Sequence, residues 1–140
     1  MAHSRNKGAA AEREFAAAIF EQLGVQMVRN LEQYRNGGCD LIVEDPDHPA
    51  AHALDCYAIE IKRQEKATPS IIKNWWTQAL EQANRSGKYP CLAYRQSRTP
   101  WKVMVPLFVI NPDLTRCTDI TWTAVMGVNA FCCVVREAIQ

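Results

Sequence analysis

The sequence predicts an α/β fold in which a central mixed β-sheet of about five strands is flanked by helices. Three observations lead to it. The apolar periodicity runs in the order helix, three strands, helix, two strands and a less regular tail. Composition is that of a globular protein, with 48% hydrophobic and 22% charged residues. A length of 140 residues fits one domain, residues 1–140, with a core over about 5–105 and a tail over about 106–140.

Residues 6–23 read as a helix: they are Ala-rich, Phe15, Ile19 and Leu23 share a stripe, and Gly24 is the stop signal. Residues 25–28 form a short apolar strand. A polar connection over 29–38 ends in Gly37-Gly38, and 39–44 is a second strand. The Pro-, His- and Ala-rich stretch 45–55 reads as an exposed turn or irregular loop. A third strand covers 56–62. Residues 69–86 form the second helix, with Pro69 in its first turn and Gly87 just past its end. Strands over 90–94 and 101–105 follow, joined by a basic turn with Arg95, Arg98 and Lys102. Residues 120–128 read as a strand, Asn129 as an N-cap, and 130–139 as a closing helix.

Bulk properties narrow the function. The formal net charge is +1, so any affinity for nucleic acid must come from where charges sit. No apolar run approaches the roughly 20 residues needed to span a bilayer. The polar, basic start over 1–8 leads into an amphipathic helix with Glu12 and Glu14, which does not resemble a signal peptide. Cys39, Cys56, Cys91 and Cys117 are scattered singly and Cys132 adjoins Cys133, which points to thiols in a reducing cytoplasm and not to disulfides or a zinc site. His48 and His52, in the irregular loop, are set aside as metal ligands.

The third strand carries the chemistry. Alternation puts Tyr57, Ile59 and Ile61 on one face, and Cys56, Ala58, Glu60 and Lys62 on the other. A solvated edge strand would explain a Glu-x-Lys pair by itself. The preceding strand adds Asp40 after Gly37-Gly38, so two neighbouring strands would present two carboxylates and a lysine at one end of a sheet. Two hard oxygen ligands suit Mg²⁺ or Mn²⁺, which keep waters and bind a substrate phosphate. Glu12 precedes Phe15, Ala16 and Ile19 by three, four and seven residues and so lies on the buried stripe, where a carboxylate needs a partner. The alternative is an acid favourably placed near the helix start.

These residues resemble the PD-(D/E)XK nuclease superfamily, in the branch of Holliday-junction resolvases and similar small phage, bacterial and archaeal endonucleases. The match consists of Arg5-Asn6-Lys7-Gly8 leading to Glu12-Arg13, then Gly38-Cys39-Asp40-Leu41, then Glu60-Ile61-Lys62, over roughly the first two-thirds of the chain. The resemblance implies a restriction-endonuclease-like core and a Mg²⁺- or Mn²⁺-dependent endonuclease acting on DNA. Its catalytic set would be Glu12, Asp40, Glu60 and Lys62. Asp40, Glu60 and the Ile61 carbonyl would ligate the metal, with Glu12 a further ligand through water and Lys62 at the attacking water. Cys39 stands where the naming motif has proline, and the loop Gln33-Tyr34-Arg35-Asn36 lacks the serine that some resolvases carry there.

Arg5, Lys7, Arg13, Arg35 and Arg63 are expected DNA-backbone contacts, together with Gln78 on the second helix, and Arg29 belongs to the same basic set. At least one of Trp75 and Trp76 is expected in the core. Branched DNA, such as a four-way junction, is the expected substrate by resemblance. Symmetric resolution needs two active sites and hence a homodimer, for which 131–135 with Trp122 could supply the interface, although core packing explains that segment equally well. A restriction-type, nicking or end-processing nuclease, a non-cleaving DNA-binding module, and an interaction domain with decorative surface charge stay open.

Overall fold

The computed structural model describes residues 2–31 and 39–139, with side chains described from residue 8 onward. Helix α1 spans Ala2–Leu23, four residues earlier than the apolar stripe predicts, and is ended by Gly24 in the left-handed region (φ 73). Strands β1 (Met27–Arg29) and β2 (Leu41–Val43) pair antiparallel. The predicted loop over 45–55 contains a short helix, α2 (Ala51–Asp55), because Ala51 and Leu54 turn inward and are buried. Its Pro- and His-rich lead-in hid that apolar pair.

Strand β3 (Tyr57–Gln64) runs parallel to β4 (Tyr89–Gln96). Between them lies α3 (Pro69–Ser86), with Pro69 in its first turn, Thr68 as N-cap and Gly87 at φ 66 closing it. Strand β5 (Lys102–Pro106) is antiparallel to β4, and β6 (Thr123–Gly127) is antiparallel to β5. The short helix α4 (Leu107–Ile110) and a 3₁₀ turn over Ile120–Trp122 connect them. The strand expected over 120–128 is shorter because Asp119 accepts from the Thr121 N–H and bends its start into that turn. Helix α5 (Val128–Glu137) closes the chain from Gly127, not from Asn129.

The sheet is therefore mixed, with four strands in the order β3-β4-β5-β6, beside the β1–β2 ladder. The two are linked where Asp40 N–H donates to the Ile59 carbonyl at 2.9 Å. One face of the sheet (Tyr57, Ile59, Cys91, Ala93, Val103, Val105) packs against Phe15 and Ile19 of α1 and Phe131 and Val135 of α5. The other (Leu92, Tyr94, Met104) packs against Trp75, Trp76 and Ala79 of α3. Both tryptophans are buried, and Trp76 Nε1 donates to the Thr118 carbonyl at 2.9 Å. Phe131, Cys132 and Val135 are fully buried in their own chain's core, so they are not a surface for a partner; Trp122 is 41% exposed. Among the described residues no helix is long and apolar enough to cross a membrane, and all six cysteines are free thiols.

Candidate active site

Asp40 sits at the last position before β2, where its main chain is already tied to β3. Its N–H donates to Ile59 O, and the Ile61 N–H donates back to Asp40 Oδ2 at 2.6 Å. A strand residue directs its N–H and C=O to the same edge, so the Ile61 carbonyl leaves β3 on the side occupied by the Asp40 carboxylate. Glu60, between Ile59 and Ile61, projects from the opposite face to its neighbours, beside Ala58, which packs on Ala83 of α3 and Cys39. Asp40 and Glu60 are both buried, at 8% and 7% exposure.

Lys62 follows Glu60 on the same face, and its Nζ stands 3.6 Å from Glu60 Oε1. The second carboxylate oxygen, Glu60 Oε2, is buried without a hydrogen-bond partner among the described residues. Such an atom is costly unless something of opposite charge meets it. Burial, and then the Glu60 charge, push the Asp40 carboxyl up to about 8, against the pull of the Ile61 N–H; Glu12 adds to the rise and Lys62 opposes it. Burial also raises Glu60, with Lys62 counteracting and Glu12 reinforcing. Two buried acids that resist ionising side by side form a site that would accept a divalent cation. Asp40, Glu60 and the Ile61 carbonyl are the groups that would hold it. Among the described residues no cluster of three or more His, Cys, Asp or Glu is preassembled for a metal, so water and substrate phosphate would complete its shell.

Glu12 is brought close enough for its charge to act on both acids. It is buried, as its place on the α1 stripe requires, but its carboxylate accepts from Arg29 Nε at 2.5 Å. The partner that the sequence sought in a metal is here an arginine on β1. Glu14, which falls off that stripe, is a residue that sequence reasoning missed. It accepts from Trp101 Nε1 at 2.9 Å, from Arg63 at 3.1 Å and from Arg95, and so ties α1 to β3, β4 and the start of β5. Its signal in the sequence is faint: an acid one residue from the core Phe15, with its partners 49 to 87 positions away.

Of the expected DNA contacts, Arg13 is exposed and lines a groove of about 640 Å³ between α1 and β1, along with Glu12 and Arg29. Arg63 is exposed but paired with Glu14. Gln78 lies on the exposed face of α3. The side chains of Arg5 and Lys7, and all of Arg35, lie outside the described residues. His48 Nδ1 accepts from the Ala50 N–H, which gives it a structural role in the turn before α2. A cleft of about 600 Å³ is lined by Gly8, Ala11 and residues 61–65, including Lys62.

Residues 3–131 of the chain match a family model, that of "Phage putative PDDEXK endonuclease". The chain belongs to this family. It is thus a nuclease of the PDDEXK class, and DNA is the substrate that class implies. No curated protein sequence matches the chain. Among solved structures, it is similar to the Archaeoglobus fulgidus Hjc structure, titled a Holliday junction resolvase from an archaeal hyperthermophile. That likeness has 14% identity and a TM-score of 0.45, and covers 94% of this chain and 88% of that one.

Proposed function

We propose that this PDDEXK chain is a divalent-metal-dependent endodeoxyribonuclease that hydrolyses DNA phosphodiester bonds, with Mg²⁺ or Mn²⁺ as its cofactor. One observation carries the reading: Asp40 and Glu60, two buried acids, lie side by side at β3, with a Glu60 oxygen that has no hydrogen-bond partner among the described residues and Lys62 beside it. A bound divalent cation supplies charge for the developing phosphorane and lowers the pKa of a coordinated water. The protein contributes the rest. Asp40, fixed by the Ile61 N–H, and Glu60 would hold the cation at the β3 edge, with Asp40 as the group that would give up a proton to it. Lys62 Nζ donates a hydrogen bond to the attacking water or to a non-bridging phosphate oxygen, and holds that group in line. Glu12, anchored by Arg29, adds negative charge near the two acids and would be a further ligand of the cation through water.

For the substrate we propose branched DNA such as a four-way junction, on the resemblance of the motif set 5–13, 38–41 and 60–62 to the resolvase branch. Symmetric cutting of such a junction requires two sites, and with it a homodimer. A cytoplasmic setting, in a bacterial, archaeal or phage-infected cell, goes with that role. The reading is tested by incubating the protein with Mg²⁺ or Mn²⁺ and with linear, single-stranded, flapped and four-way-junction DNA. Paired symmetric nicks on the junction support the resolvase role. Cleavage of every substrate supports a general nuclease, and cleavage of one linear sequence a restriction-type enzyme. No cleavage anywhere, or full activity in Asp40→Asn, removes the proposed site.

A further inference from the structure

The basic turn joining β4 to β5 has no part in the site described above, yet it is built next to it. Ser97 N–H donates to the Gln64 carbonyl at 2.9 Å, which fixes the turn against the end of the strand that carries Glu60 and Lys62. Gln96 Oε1 accepts from the Ala67 N–H at 3.0 Å, Thr99 Oγ1 donates to the Gln96 carbonyl at 2.7 Å, and Arg95 Nε donates to the Thr99 carbonyl at 2.8 Å. The turn is therefore held by β3, by the end of β4 and by the loop after β3.

At its tip Arg98 adopts φ 66, and among the described residues it is the one non-glycine at positive φ. Glycine or asparagine would take that conformation at lower cost. The arginine side chain is 89% exposed and stands 3.8 Å from the carboxylate of Glu65, which is itself largely open, a pair that contributes little to stability. A strained backbone position that carries a solvent-directed cation is thus not explained by folding. The polar cleft at Lys62 continues toward it. That cleft shares Arg63, Gln64 and Glu65 with a second cleft of about 320 Å³, whose far wall is Ser97. Lys66 adjoins Ala67, whose N–H reaches Gln96, and Lys102 opens β5 just past the turn; both are exposed.

Resting on the nuclease reading, we propose that the β4–β5 turn is a DNA-backbone contact outside the catalytic site, with Arg98 bound to a phosphate of the strand leaving it. Gln64 lies four residues past Glu60, about 13 Å along the strand. That spans on the order of four steps of duplex DNA at about 3.4 Å each, so the contacted phosphate is several nucleotides from the cleaved bond. The preorganised turn spares the ordering cost of the loop backbone on binding, leaving only that of the arginine side chain.

The test compares wild type with Arg98→Gly and Arg98→Lys, using a labelled DNA that the wild type cleaves. Binding is measured in Ca²⁺ over a salt series, cleavage is measured in Mg²⁺ at saturating DNA, and thermal midpoints are recorded. Arg98→Gly is expected to raise the melting temperature, because it relieves the positive φ. It is also expected to weaken DNA binding, to lower the slope of log K against log salt by about 1, and to leave kcat unchanged. Arg98→Lys should keep most of the slope. Unchanged affinity and slope in Arg98→Gly, beside an active wild type, overturn the inference and leave the nuclease reading standing. A wild type that neither binds nor cuts any DNA overturns both.

Discussion

The Ile61 backbone N–H donates to Asp40 Oδ2 at 2.6 Å, so the first acid of the site is held by the main chain of the strand that bears the second. This contact fixes the carboxylate beside Glu60 without a side-chain partner that a cation would have to displace. Burial and the neighbouring Glu60 disfavour charge on Asp40 against the pull of that N–H, and most of the consequences below come from that conflict.

The metal-free protein should lose stability as pH rises. Asp40 starts from 3.8 in a reference peptide and is pushed up to about 8 in the fold, and Glu60 is raised as well. A folded state that holds a proton more tightly than the unfolded chain is favoured at low pH. That contribution is complete below about pH 4 and is lost progressively as pH climbs through 8. Thermal melts in EDTA from pH 5 to 8.5 should show the decline, and Asp40→Asn should flatten it. An equal slope in the variant would mean that Asp40 does not carry the effect.

Divalent cations should reverse that decline. A bound cation would compete with the proton on Asp40, so apparent affinity for Mn²⁺ should rise by up to about tenfold per pH unit, levelling off above about pH 8. Calorimetry in two buffers of different ionisation heat reads the proton release directly. Asp40→Asn and Glu60→Gln should each abolish both binding and release.

Lys62→Ala should separate chemistry from metal binding. The Nζ lies 3.6 Å from Glu60 Oε1 and is partly open to solvent, so its removal leaves the two acids in place. Cleavage is expected to fall by about 10²- to 10⁴-fold, while the Mn²⁺-induced rise in melting temperature persists. Retention of full activity would exclude Lys62 from the reaction.

Glu12→Gln should behave differently from the other acidic variants. Its carboxylate neutralises Arg29 at 2.5 Å in a largely buried setting, so losing the charge should cost about 1–3 kcal/mol of stability. In Asp40→Asn the metal-free protein should instead be as stable as wild type at pH 7, or more so. Urea titrations in EDTA compare the two, and equal stability for Glu12→Gln and wild type would argue against a structural ion pair.

Phe131→Ala should destabilise the whole protein by about 3–5 kcal/mol, because Phe131 is fully buried against Tyr57 with ring centroids 5.1 Å apart. If 131–135 were chiefly a subunit interface, the loss would depend on protein concentration. Denaturation at two concentrations, a hundredfold apart, distinguishes these outcomes.

Much of this protein could be read along the chain. Helix α3 matches its expected span because local signals bound both ends: Thr68 and Pro69 at the start and Gly87 at the finish. The strands β3, β4 and β5 fall within a few residues of the apolar runs that announce them. Asp40, Glu60 and Lys62 were nameable because a charge inside an apolar strand is conspicuous. Helix α2 was not, and for Phe131 core packing and a subunit interface stood as equal readings, since their apolar residues find partners only across the fold.

By itself the sequence determined which residues are chemically capable and on which elements they stand, because propensity, capping and periodicity act over a few neighbours. The tertiary structure decided their partners. It joined Glu12 to Arg29, gathered Arg63, Arg95 and Trp101 around Glu14, and laid Asp40 against the Ile61 N–H. Those choices depend on how a parallel pair, an edge strand and a crossing helix bring distant segments within about 3 Å, the range over which hydrogen bonds act. No pattern local to the chain encodes that distance.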